Sequence, residues 1–163
     1  DTLALATVSC AQMAQRRIAK LMSAELSDLP AGLNSNPSST AGIGIVGAVA
    51  ELLVKEMRLL ASPAALHTDA TYDVEDHAPM TLIAVRKLRE LLPLLHNVIA
   101  CELVSAAQAF ELRGEPQVGD RVSRLYAAVR AEIPFIYEDR STRAELARLA
   151  GLIGRGELDG ALA

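Results

Sequence analysis

The chain has 163 residues, 51% of them hydrophobic and 22% charged, which excludes an intrinsically disordered protein. Sixteen Lys and Arg against twenty Asp and Glu give a net charge of −4, and this lacks the basic footprint that a nucleic-acid partner requires. Two cysteines, Cys10 and Cys101, are too few for a disulfide framework and read as buried thiols in a reducing cytoplasm.

The longest apolar run, Ala41 to Ala50, ends at Glu51, well short of the ~20 residues of a membrane helix. No signal-peptide pattern opens the chain, so a cytoplasmic protein without a membrane partner is expected. The first residue is Asp1 where a natural start would carry Met, and the chain reads as a fragment of something longer.

Ala and Leu dominate, aromatic residues make up only 3%, and no alternating strand pattern is found. This composition predicts closely packed helices. The first helix is expected from Thr2 to Leu26, stopped by the loop SDLPAGLNSNPSST. A second should run from Gly42 to Leu60, ended by Ser62-Pro63. Residues 64 to 75 read as an irregular connector.

A third and longest helix is expected from Ala78 to Arg113, ~54 Å at 1.5 Å per residue. It carries two apolar stripes. Met80, Ala84, Leu88, Leu91, Leu95 and Val98 form one, while Leu82, Val85, Leu92, Ile99, Leu103, Ala106 and Phe110 form the other. Such a helix must be covered from several directions, and Pro93 inside it should introduce a kink. Beyond Gly114 a short amphipathic helix is expected over Asp120 to Glu132. A last one should start at Thr142, where Glu145 has capping-box spacing. The tail GRGELDGALA should fray. Residues 1–113 thus read as the helical-bundle core and 114–163 as short helices and a tail, together one incomplete domain.

Five features carry potential chemistry. Gly42-Ile43-Gly44-Ile45-Val46-Gly47 fits GxGxxG, but a polar loop precedes it where a dinucleotide site needs a strand, so close helix packing is the better account. Asp73, Glu75, Asp76 and His77 form the densest ionisable cluster; they read as the N-terminal cap of the long helix, and their spacing does not suit a metal. His96 lies on an apolar stripe and reads as a core histidine. Arg16 and Arg17 read as solvated or salt-bridged surface, and Glu102 needs a partner if buried, such as an Arg from another helix or subunit.

Taken in order, the segments resemble the C-terminal part of the aromatic amino-acid ammonia-lyases, histidine ammonia-lyase above all. DTLALATVSCAQMAQRRIAKLM resembles the family's DNLALA…SERR helix, and LSDLPAGL its LSGLPPFL stretch. AGIGIVGAVAELLVKEMRLLASPA resembles the SGFMIAQ…E-K-LA-P helix, DVEDHAPM resembles NQEDHVSM, and IACELVSAAQAFELR resembles the segment bearing E…A.Q…LR. The likeness covers roughly residues 1 to 113.

The resemblance implies an all-α, long-helix bundle of the fumarase/aspartase-like type, assembled as a homotetramer. It implies a parent enzyme that eliminates ammonia from a small aromatic amino acid through a methylidene-imidazolone made from an Ala-Ser-Gly triad. No such triad occurs in the 163 residues, so this chain should hold no cofactor of its own, depend on a missing N-terminal portion, and be silent alone. Carried over residue by residue, Glu75 matches the family's active-site Glu near the substrate amine. Ile43 and Gly44 match the Phe-Met pair whose Met position lines the side-chain pocket, and Gly44 leaves that pocket roomier. Asp73 and Val74 stand where Asn and Gln are usual, with Val74 among the substrate-binding positions, and Pro79 replaces Ser. A family member that has lost catalysis, or a helical oligomerisation module, are the alternative readings.

Overall fold

The computed structural model describes residues 1–39, 41–64 and 80–162. Among these the chain forms α-helices α1 (Thr2–Met22), α2 (Ala24–Ser27), α3 (Gly44–Leu60), α4 (Thr81–Leu112), α5 (Asp120–Glu132), α6 (Arg143–Gly154) and α7 (Asp159–Leu162), with a 3-10 turn at Ala31–Leu33. The all-helical expectation holds, and the long helix organises the rest.

α1 is shorter than its periodicity suggests. Ser23 adopts extended angles (φ −86°, ψ 119°) and separates α1 from the single-turn α2, which Asp28 closes in the left-handed region at φ 54°. On α1 the residues Ala4, Val8, Ala11 and Ala14 recur at helical spacing and pack against Val54 and Met57 of α3 and Leu91 and Val98 of α4. The small Ala side chains let the three helices approach closely.

A second cluster continues from Ile18 through Leu33, Ile43 and Val46 to Cys101 and Val104 of α4, and on to Val129, Ile133 and Leu149. The two clusters lie along one seam centred on α4. Burial in that seam pushes the Cys101 thiol up to about 12. The expectation of two buried thiols fails at Cys10, which is exposed on α1.

α4 continues without a break through Pro93, and the Asn97 side-chain amide donates to the Pro93 carbonyl at 2.8 Å. One of its stripes is buried at Leu91 and Val98, whereas Leu82 is 85% exposed and Val85 and Leu92 are also open within this chain. Part of α4 is long and apolar enough to cross a membrane by length and composition. Its inner face, however, is covered by α1, α3 and α6, as in a core helix.

His96 is half-buried, and its ring lies against Gly154 of α6, where an added Cβ would come within 2.9 Å of Nδ1. The tail is more ordered than its glycines suggest. Leu158 is buried, and α7 is tied back to α5 by a hydrogen bond from Arg124 Nε to the Ala161 carbonyl at 3.3 Å.

Two ion pairs differ in setting. Arg17 of α1 forms a two-pronged pair with Glu102 of α4, supplying the arginine from another helix that Glu102 calls for, but Arg17 is 58% exposed. Glu111 of α4 is more enclosed: its Oε1 accepts from Arg130 Nε at 2.6 Å and from Tyr126 Oη at 2.5 Å. The hydrogen bond to Glu111 holds the Tyr126 phenol above its ordinary range, and the Arg130 guanidinium also lies 5.8 Å from the Phe135 ring centre. Removing a partner from an enclosed pair leaves the other charge unsatisfied, whereas a solvated pair contributes little. Glu111→Ala should therefore lower unfolding stability by about 2 kcal/mol, and Glu102→Ala by less than about 1 kcal/mol. Paired denaturant titrations of the two variants check this ordering.

Candidate functional site

The described part of the candidate site is the turn that feeds α3. It begins beyond α2, where Leu29 and Leu33 are buried and Gly32 takes φ +64°. The Gly32 carbonyl accepts the Ile43 amide at 3.1 Å, which joins the start and the end of the loop. Between them, the Asn34 side chain accepts from the Asn36 amide at 3.0 Å and donates to the Ser39 carbonyl at 2.9 Å. Short polar side chains bonding their own backbone are what make such a stretch a loop and not a helix.

Each residue of the Gly42-Ile43-Gly44 turn has a separate job. Gly42 sits at φ +53°, and a Cβ there would lie 2.7 Å from the Asn34 Cβ and 2.8 Å from its Cα. Only glycine meets both demands, which is why α3 starts at Gly44 and not at Gly42. Ile43 is 1% exposed and belongs to the core. Gly44 faces open space, with no atom within 4 Å of an added Cβ. Further along, an added Cβ on Gly47 would meet the Met22 sulfur at 2.5 Å, so the close-packing account of the GxGxxG pattern holds at its third glycine.

A residue from the far end of the chain completes the turn. Asp139 Oδ1 accepts the Gly42 amide at 3.1 Å and the Ser39 hydroxyl. No sequence signal marks this contact, because the partners are 97 and 100 residues apart. The neighbouring Arg140 pairs with Glu145. This corrects the capping-box expectation: Thr142 is the N-cap residue of α6 but makes no side-chain cap bond.

Glu75 and Val74, with Asp73, Asp76, His77, His67 and Pro79, lie outside the described residues. Beside the turn, α3, α4, α6 and the residues just before α6 line an open pocket of about 440 Å³, with Ile45, Val49, Asn97, Cys101, Thr142 and Leu146 among its walls. Neither Ile43 nor Gly44 lines it. Among the described residues no group of three His, Cys, Asp or Glu side chains could hold a metal ion.

The turn's glycines give a direct test. Gly42→Ala should cost about 2 kcal/mol or more, because a left-handed residue gains a Cβ against backbone. Gly44→Ala should be neutral or stabilising by up to about 1 kcal/mol, since it meets nothing and favours helix. Thermal melts of the two variants report the difference.

Residues 1–131 match the aromatic amino acid lyase family. The chain is 35% identical to the histidine ammonia-lyase of Symbiobacterium thermophilum over 97% of its own length and 31% of that protein. It is also 35% identical to that of Aromatoleum aromaticum, over 96% of this chain and 30% of that protein. The backbone matches the histidine ammonia-lyase structure from Trypanosoma cruzi at a TM-score of 0.91 and 26% identity, covering 98% of this chain and 32% of the other. It matches tyrosine aminomutase from Streptomyces globisporus at a TM-score of 0.91 and 26% identity, covering 98% and 31%. The chain therefore spans just under a third of the length of the relatives it matches, and it shares their all-helical fold. On sequence and backbone alike, it belongs to the aromatic amino acid lyase family.

Proposed function

We propose that this chain is the part of an aromatic amino-acid ammonia-lyase or aminomutase that carries the acid–base carboxylate, Glu75, and one wall of the side-chain pocket, at Gly44. The observation that carries this reading is the match to histidine ammonia-lyases and aminomutases over nearly the whole chain, in sequence and in backbone. The substrate class is a small aromatic amino acid: histidine, phenylalanine or tyrosine.

The chemistry follows from the residue types. An amino-acid amine is protonated at neutral pH and has no free lone pair. A carboxylate at Glu75 would accept one ammonium proton on its oxygen and leave the nitrogen nucleophilic. Gly44 leaves room beside the substrate ring, while the buried Ile43 anchors the turn from behind. Val74 is apolar where an amide is usual in the family and Asp73 is a carboxylate, which removes hydrogen-bond partners and loosens selectivity for an imidazole.

The family's methylidene-imidazolone supplies an electrophile for the amine. Its Ala-Ser-Gly precursor does not occur in this sequence, and the residues described around Gly44 do not build it. In this reading the group comes from the missing N-terminal portion of the parent, and this chain alone is silent. The open Leu82, Val85 and Leu92 face of α4 supports assembly with copies of the same chain, as a homotetramer, and the parent is read as cytoplasmic.

Glu75→Gln in the full-length parent separates the catalytic reading from a helix cap or a lapsed enzyme. A positioned acid–base group should lose turnover by ~10²-fold or more, with the melting temperature preserved. Unchanged turnover, with a stability loss of up to ~1 kcal/mol, would return Glu75 to a cap.

A further inference from the structure

We infer that Asp139 is a positioning residue for this site: its carboxylate holds the Ser39–Gly42 turn from which α3 and Gly44 project, and so sets the pocket wall without touching substrate. The inference rests on the pocket reading above and extends it to a residue beyond the matched family segment, which ends at residue 131.

The geometry around the turn is two-sided. The amides of Gly42 and Ile43 precede the first helical residue and have no helical acceptor. Each is taken by a different element: Ile43 N–H by the Gly32 carbonyl at 3.1 Å, and Gly42 N–H by Asp139 Oδ1 at 3.1 Å. Among the described residues the Ser39 hydroxyl also accepts from Gly42 N at 3.3 Å, and that hydroxyl is itself bonded to Asp139. Without the carboxylate both contacts loosen together.

A carboxylate on a free loop could not fix a turn, because the loop would move with it. Asp139 is carried on a strap, residues 133–142, that is fastened on both sides. Before it, the Gln108 side chain, fully buried in α4, clasps Ile136 at two points. Its Nε2 donates to the Ile136 carbonyl at 2.8 Å, and its Oε1 accepts the Ile136 amide at 3.2 Å. Ile133 and Ile136 are themselves buried in the core. After it, Arg140 pairs with Glu145, and Thr142 is buried at the start of α6. The exposed carboxylate is therefore set between fixed points, and its bonds transmit the position of α4 and α6 to the start of α3.

The test compares Asp139→Ala with Asp139→Asn in the full-length protein. Both described bonds use Oδ1, which Asn retains, so Asn is the conservative rescue. Amide exchange at Gly42 and Ile43 should quicken by about tenfold or more in the Ala variant and stay near wild type in the Asn variant. In steady-state kinetics the Ala variant should raise KM by about tenfold or more and shift the preference among histidine, phenylalanine and tyrosine, with kcat less affected. Unchanged exchange in the Ala variant would overturn the clamp. Faster exchange with unaltered KM and preference, even with a lower melting temperature, would overturn the positioning role. Retained turnover in Glu75→Gln would count against the catalytic reading alone, because the exchange measurement decides the clamp independently.

Discussion

The structure depends on covering α4. A helix of 32 residues with apolar side chains on more than one side is unstable in water until other elements shield it. α1 and α3 shield it at Leu91 and Val98, and further along the same seam the strap and α6 join them around Cys101 and Val104. That burial has a polar consequence. Gln108 lies at 0% exposure, where an unsatisfied amide would cost about 1–3 kcal/mol. Its clasp on the Ile136 backbone meets that demand and fastens the strap at the same time.

The turn into α3 inherits its position from these contacts. Asp139 and the Gly32 carbonyl hold consecutive amides, the tight fit around Gly42 admits no Cβ, and Ile43 plugs the core beneath. What remains open is Gly44. A family that must accept different aromatic side chains can vary size at such a position while the surrounding turn stays fixed, because only that residue of the three has space around it. This division between held backbone and open side-chain space is how the fold serves the proposed chemistry.

Much of the fold is legible in the sequence because Ala and Leu at helical spacing report packing directly. The long helices and the loop between α2 and α3 follow from that spacing and from Pro30, Gly32 and Pro37. The ends are harder. Ser23 interrupts a periodic run by adopting extended angles, and beyond the break Arg113 at the end of α4 reaches the Ser27 carbonyl, a contact that local spacing does not report. Glu145 has capping-box spacing, yet its carboxylate pairs with Arg140 and Thr142 makes no side-chain cap bond. Of the site, Gly44 and Glu75 come from the family resemblance, not from spacing. Asp139 was not legible, because a contact across 97 residues leaves no local pattern.

The proposed function requires that this chain bring Gly44 and Glu75 to a single pocket for an aromatic amino acid. An experimental structure of the full-length protein with such an amino acid bound tests it most directly. The aromatic ring is expected beside Gly44 and the amine within hydrogen-bond reach of the Glu75 carboxylate, about 2.6–3.2 Å between heavy atoms. An amino acid seated with its amine away from Glu75, or with other protein atoms filling the space at Gly44, would contradict it.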